Sequence, residues 1–278
     1  MNAKHLSLSC LFLGLLVVAR PARAEHVVIQ VESLAPENGL FLSPMWVGFH
    51  NGSFDMFDAG KVLPAGGAME RAFEDGDVEA LQDKFAATTT GGVGGFIIAP
   101  TGYPDVPVIE PGEQGRAAFE LDPKRNRYMS FAAMLLPSND AFIANDGSKD
   151  IELFTASGKF KGKLTFTILG ADVWDAGTEM NTETDAAFLN QNEAGDGQRT
   201  TEPVKLHPGF IGSYANPAAG SQPVILGATL DSDVRFDRIA ADFTRPNAVI
   251  ARITVIPEPA TAVLLLAGGL ALLRKRPA

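Results

Sequence analysis

Short apolar runs with alternating polar residues recur along the chain and constrain its fold more than any other feature. His26–Leu34 and Lys161–Leu169 alternate with the period of two that half-buried strands show. Tyr128–Leu136 is more uniformly apolar, which suits a central strand. Because glycine- and proline-rich stretches separate the runs, we predict an all-β antiparallel sandwich rather than a parallel α/β sheet. The other predicted strands are Phe41–Phe49, Gly95–Ala99, Arg116–Leu121, Ile151–Ala156, Val204–Leu206, Val234–Phe243 and Ala248–Ile256.

Two segments depart from the strand pattern. Ala68–Phe85 has apolar residues at helical spacing but is interrupted at Gly76, which predicts two short helical turns at one edge of the sandwich. Ala176–Pro203 is long, polar and without a periodic pattern. Loops of this length are usually functional or mobile.

The N-terminal residues predict export from the cell. Residues 1–24 combine a positively charged start, an apolar run from Leu6 to Ala19 and the small-residue site Ala22-Arg23-Ala24. This is the pattern of a secretory signal peptide, here a signal helix outside the folded domain of residues 25–256. Cys10, the single cysteine, lies inside this segment, so we expect a domain without disulfide bonds.

The C-terminal residues 257–278 contain three elements in a fixed order: Pro257-Glu258-Pro259, an uncharged hydrophobic segment of residues 260–273, and the basic cluster Arg274-Lys275-Arg276. This order resembles the bacterial PEP-CTERM sorting signal. The resemblance implies transient contact of a hydrophobic helix with the inner membrane, processing by an exosortase-type enzyme, and release to the cell surface or an exopolysaccharide matrix. The alternative is a C-terminal membrane anchor that is kept.

Charge and motif content exclude several classes of function. Residues 25–256 contain 17 Lys or Arg and 32 Asp or Glu, a net charge of −15. This balance argues against nucleic acid as a partner and favours cation binding. The three histidines of this span, His26, His50 and His207, belong to no H-E-x-x-H motif, and no G-x-S-x-G motif is present. We therefore expect a protein that is not an enzyme.

Three carboxylates stand near the ends of predicted strands and are candidates for a cation site. Asp140 follows the run that ends at Leu136, and Asp175 stands where an apolar run enters the long loop. Glu120 lies near the end of another strand. Calcium takes six to eight oxygen ligands, and strand ends gather at the rim of a sandwich. The alternative is three unrelated carboxylates in solvent.

The acidic residues within the long loop are interpreted differently. Glu179, Glu183 and Asp185 belong to a polar segment with no apolar pattern. We expect these three side chains to face the solvent rather than to bind the ion.

Six motifs occur in order along the chain: Leu42-Ser43-Pro44, Glu74-Asp75-Gly76-Asp77, Ser130–Asp140, Asp175–Glu179, His207–Phe210 and Ile250–Ile256. Together they resemble the spondin N-terminal (F-spondin) domain. The resemblance implies a C2-like antiparallel β-sandwich with a calcium ion at one end. It also implies ligands at Asp140 and Asp175 and a glutamate one strand upstream, which maps to Glu120, with Asp122 as an alternative.

Two hypotheses about function follow. The first is an exported calcium-binding module for cell-surface adhesion or for association with extracellular matrix or exopolysaccharide, whose ligand is a polysaccharide or a protein. The second is a secreted hydrolase that cleaves polysaccharide with a carboxylate pair. A hydrolase needs aromatic side chains that stack on sugars, and this span has few, which favours the first hypothesis. These aromatic residues are Trp46, Tyr103, Tyr128, Trp174 and Tyr214.

Overall fold

The computed structural model describes residues 24–100, 107–187, 189, 197–217, 221–230 and 234–258. The predicted signal peptide, apart from its last residue, and the predicted hydrophobic segment 260–273 lie outside these residues. Among the described residues, no helix is long and apolar enough to cross a membrane.

The described residues form twelve strands and two α-helices. The helices are α1 (Ala68–Glu74) and α2 (Val78–Thr88). The strands are β1 (Glu25–Ser33), β2 (Phe41–Leu42), β3 (Met45–His50), β4 (Val93–Ile97), β5 (Gln114–Leu121), β6 (Tyr128–Leu136), β7 (Ala141–Ala144), β8 (Ile151–Glu152), β9 (Leu164–Leu169), β10 (Trp174–Asp175), β11 (Lys205–Leu206) and β12 (Val249–Pro257).

The strands form two antiparallel sheets, which confirms the predicted β-sandwich. The smaller sheet has the order β5-β1-β12-β9. The larger sheet has the order β11-β10-β7-β6-β3-β4, and β2 and β8 also pair with β6. Ile29 and Ile253 of the smaller sheet belong to the same buried cluster as Phe49 and Phe131 of the larger sheet. Apolar residues at every second position of the strands therefore meet between the sheets.

The first and last strands of the sandwich, β1 and β12, lie side by side. Val27 near the start of β1 pairs with Pro257 at the end of β12 in the middle of the smaller sheet. All the described strand pairings join residues between Glu25 and Pro257. The described strands therefore complete their sheets within the span 25–257.

The helices cover the outer face of the larger sheet, and their break at Gly76 is confirmed. Gly76 has a φ of +67°, a conformation that a residue with a Cβ adopts at a cost. Asp77 follows it and caps α2 by accepting the backbone N–H of Ala80 at 3.1 Å. Phe73 of α1 stacks on Phe142 of the sheet with ring centroids 3.8 Å apart. A second apolar cluster thus fixes α1 against the strand that follows Asp140.

Two of the strand predictions need correction. Val234–Phe243 is not a strand, because the Asp237 side chain accepts the backbone N–H groups of Ile239 and Ala240 and closes a turn. The predicted strand Phe41–Phe49 is two strands, β2 and β3. They separate at Ser43-Pro44, where proline supplies no backbone N–H.

Candidate metal centre

Asp140 and Asp175 lie together at one end of the larger sheet. β10 pairs antiparallel with β7, so that Asp175 lies opposite Ala141, the residue after Asp140. The backbone N–H of Ala176 donates to the carbonyl oxygen of Asp140 at 3.2 Å. Asp140 is 0 % exposed and Asp175 is 1 % exposed. The strand ends therefore bring two carboxylates into one buried place.

One oxygen of the Asp140 side chain is well bonded and the other is not. Oδ2 accepts the backbone N–H of Thr178 at 3.0 Å and that of Glu179 at 3.1 Å. Oδ1 is buried and has no hydrogen-bond partner within the described part of the chain. Burial, and secondly the charge of Asp175, raise the pKa of Asp140 to about 7. Asp140 is thus a buried carboxylate whose charge is incompletely compensated.

The Asp175 carboxylate is oriented by the turn that follows it. Its Oδ1 accepts the backbone N–H of Gly177 at 2.8 Å, and its Oδ2 accepts the Asn181 side-chain amide at 2.9 Å. The ammonium group of Lys205 lies 3.8 Å from Oδ2. Burial raises the pKa of Asp175, and the largest opposing influence is the positive charge of Lys205. Gly177 has a φ of +69°, which the turn requires.

Glu179 belongs to this region, contrary to the prediction that it faces the solvent. It is 2 % exposed, and its carboxylate accepts the Asn139 side-chain amide at 3.3 Å. Burial raises the pKa of Glu179 to about 7. The Glu179 backbone N–H already bonds Asp140, so the loop folds back over the end of β6. The sequence alone does not reveal this burial, because a polar loop has the same composition whether its polar groups contact water or one another.

Glu183 was also predicted to be exposed and is buried for a different reason. Its carboxylate accepts the backbone N–H of Ile225 at 3.0 Å and of Val224 at 3.3 Å, and it also bonds the N–H of Ile211. These bonds connect the long loop to the segment of residues 211–225. Glu183 therefore has a structural role, while Asp185 is half-buried.

The structure does not bring the third predicted ligand to this place. Glu120 is exposed on β5 of the smaller sheet, opposite His26. Asp122 follows in the turn that leads into the start of β6, whereas Asp140 comes after the end of β6. The nine residues of β6 separate the two ends by roughly 26 Å at about 3.3 Å per residue. The strand-end rule placed Asp140 and Asp175 at a rim of the sandwich, but it could not say which strand ends share the same rim.

Comparison with protein families identifies the chain at this point. The family model of the spondin N-terminal domain (Spondin_N) matches residues 36–207. The chain belongs to this family. The matched region contains β2 to β11 with Asp140, Asp175 and Glu179, and the two strands β1 and β12 lie outside it. Membership indicates an extracellular module of the adhesion type. The comparison with curated proteins gave no match.

A further buried carboxylate of this spondin domain comes from helix α1. Glu74 is buried, and its Oε1 has no hydrogen-bond partner within the described residues. Burial raises the pKa of Glu74 to about 8, a hydrogen bond from Thr178 lowers it, and the charge of Glu179 raises it further. The Thr178 hydroxyl also lies 3.4 Å from Asp140 Oδ2. The Glu-Asp-Gly-Asp motif marked this position in the sequence but did not reveal its neighbours.

A neutral histidine, His207, is linked to Asp175 through the Asn181 side chain. The backbone N–H of Gly209 donates to Nδ1 of His207 at 3.0 Å, so Nε2 carries the proton and donates to Asn181 Oδ1 at 3.1 Å. The Asn181 amide in turn donates to Asp175. Burial, and secondly the charge of Lys205, lower the pKa of His207 to about 3, so the imidazole stays neutral. His207 therefore fixes the orientation of the amide that holds Asp175.

The donors of this site are oxygen atoms, which suit hard cations such as calcium. In the described part of the chain, no three His, Cys, Asp or Glu side chains are grouped closely enough to count as a metal site. The residues that could take part are Asp140 and Asp175, with Glu179 beside them. Backbone carbonyls and water commonly complete calcium coordination in proteins.

Proposed function

We propose that this spondin domain is an exported binding module, not an enzyme, that takes up Ca²⁺ at Asp140 and Asp175. The observation that supports the site best is the Asp140 side chain. It is fully buried beside a second carboxylate and has one oxygen without a partner in the described residues. Burying unpaired negative charge is unfavourable, and a bound cation relieves it.

The residues around the two aspartates fit an oxygen-coordinated ion. The N–H groups of Thr178 and Glu179 hold Asp140 through Oδ2 and leave Oδ1 available. Gly177 and Asn181 hold Asp175. Glu179 is buried and its charge raises the pKa of Asp140, so it adds negative charge near the ion without being one of its ligands. Calcium supplies the positive charge that these side chains lack.

Ion binding would act on the loop that begins at Ala176. This loop carries the N–H groups that bond Asp140, and its Glu179 side chain lies among acidic neighbours. Neutralising those charges favours the closed arrangement of the loop over open ones. The proposed role is adhesion, or association with matrix or exopolysaccharide, through a surface whose shape depends on the ion. The partner class is a surface polysaccharide or protein.

The two ends of the sequence support a location at the cell surface. Residues 1–24 have the pattern of a signal peptide, and residues 257–278 have the pattern of a PEP-CTERM signal for an exosortase-type enzyme. The two ends of the sandwich lie next to each other in the smaller sheet. The proposed metal site lies in the larger sheet, whereas Pro257 lies in the smaller one.

Calorimetric titration of residues 25–258 with CaCl₂ after chelator treatment tests the proposal. We expect one site per chain, lost in Asp140→Asn and Asp175→Asn and retained in the controls Glu120→Gln and Asp122→Asn. Equal binding by all five proteins would place the ion elsewhere. No binding by the unaltered domain would reject calcium. If calcium binds, adhesion to matrix polysaccharide should be measured with calcium and with chelator, and equal adhesion would separate the site from the proposed role.

A further inference from the structure

Lys205 places a positive charge beside the carboxylates of the proposed calcium site. It lies directly opposite Asp175 in the pairing of β10 with β11. Its Nζ is 3.8 Å from Asp175 Oδ2. We infer that Lys205 is a built-in competitor of the divalent ion, which holds Asp175 when no metal is bound and yields to the metal when it binds. This inference rests on the calcium site proposed above.

The charge of Lys205 acts at close range on Asp175, because its Nζ lies 3.8 Å from Oδ2 of that carboxylate. The ammonium therefore stabilises the same negative charge that a calcium ion would neutralise. Two cations beside the same carboxylate repel each other, so calcium and the ammonium would bind Asp175 in competition.

The ammonium has a second partner that it can keep when the contact with Asp175 is lost. Glu202, three residues earlier, forms a salt bridge with Lys205. The Lys205 side chain is 46 % exposed, and its four-carbon stem is flexible. Lys205 can therefore leave Asp175 for Glu202 while the backbone pairing of β10 and β11 is kept. Asp175, in contrast, is held in place by Gly177 and Asn181.

This arrangement sets the affinity of the site without contributing a ligand. In the metal-free domain, Lys205 reduces the repulsion between buried carboxylates and so stabilises the fold. In the metal-bound domain, the same charge lies near the ion and weakens binding. A purely structural salt bridge would have only the first effect. The two effects have opposite signs, and a single substitution therefore distinguishes them.

Calorimetric titration of residues 25–258 with CaCl₂ tests the inference with four single variants and one double variant. Lys205→Gln is expected to bind calcium about fivefold more tightly or better, the change expected for removal of one nearby charge. Lys205→Arg keeps the charge and should bind as the unaltered domain does. Lys159→Gln, at an exposed lysine elsewhere, is the matched control. Glu202→Gln removes the alternative partner and should weaken binding, but not when Lys205→Gln is also present.

Thermal unfolding of the same proteins supplies a second measurement. In chelator, Lys205→Gln should unfold at a lower temperature than the unaltered domain, and saturating calcium should reduce or reverse this difference. Unchanged or weaker calcium binding by Lys205→Gln, while the unaltered domain binds, overturns the inference alone. Absence of binding by both proteins overturns the proposed calcium site and the inference together. Binding by Lys205→Gln alone would support both.

Discussion

The substitution Asp140→Asn should stabilise the metal-free domain and abolish its response to calcium. The pKa of Asp140 is raised from its ordinary value of 3.8 to about 7. The folded state therefore holds the proton more tightly than the unfolded chain, and the carboxylate costs stability as pH rises from about 4 to about 7. Asparagine keeps the shape and an acceptor oxygen for the N–H groups of Thr178 and Glu179, but carries no charge.

The size of this effect follows from the shift in pKa. About three pKa units at about 1.36 kcal/mol each set an upper limit of about 4 kcal/mol at pH 8. Because the asparagine amide also needs an acceptor, we expect a gain of about 1–3 kcal/mol, or about 2–4 °C in Tm for each kcal/mol in a domain of this size. At pH 5 the folded Asp140 is already protonated, and the advantage of the variant should fall to less than half.

Thermal unfolding in chelator at pH 8 and pH 5, and again in calcium at pH 8, measures these differences. A hundredfold excess of calcium over its Kd should stabilise the unaltered domain by about 2.7 kcal/mol and leave Asp140→Asn unchanged. Asp122→Asn is the control, because that carboxylate lies in the turn before β6 and this variant should keep the calcium response of the unaltered domain. A variant less stable than the unaltered domain in chelator at pH 8 would refute the view of Asp140 as an uncompensated buried charge.

Three further results are expected. Calcium affinity, measured by titration at several pH values, should fall as pH drops below about 7, because protons compete for Asp140. An affinity that stays the same from pH 8 to pH 6 would contradict this. His207→Phe should weaken calcium binding by removing the donor to Asn181, whereas His207→Gln should restore part of it, and equal affinities would assign His207 to stability alone. Gly177→Ala should lower both Tm and affinity, because a Cβ at φ +69° would lie 2.4 Å from a backbone carbonyl oxygen; an unchanged Tm would show that the turn adjusts.

The strand pattern predicted the sandwich well because burial alternates along strands whatever their partners are. Tyr128–Leu136 was predicted with the bounds that the structure shows, since eight of its nine residues are buried. Val234–Phe243 failed because its buried residues, such as Phe236 and Phe243, are brought inward by side-chain-to-backbone bonds of Asp237 and Asp242. Such turns can bury apolar residues without a regular period.

The positions of the candidate residues were predictable only where local sequence decides them. Asp140 and Asp175 follow apolar strands, so each could be placed at a strand end. Which ends share a rim depends on topology, and for that reason the sequence could not show that Glu120 lies on the other sheet. Glu179 was missed because its burial comes from Asn139 and Asp140, residues about forty positions earlier that no local pattern connects to it.

The buried acidic residues also explain how a domain without disulfides could respond to its surroundings. Asp140, Glu179 and Glu74 all have a raised pKa, so the metal-free domain carries a cluster of carboxylates that resist ionisation. By the inference above, Lys205 offsets part of the cost of burying these charges and also weakens the binding of a divalent ion. Calcium sites of extracellular modules often have a Kd of about 10⁻⁴–10⁻³ M. A site with few carboxylate ligands and a competing ammonium fits that range, in which changes in external calcium would alter occupancy and hence the order of the loop.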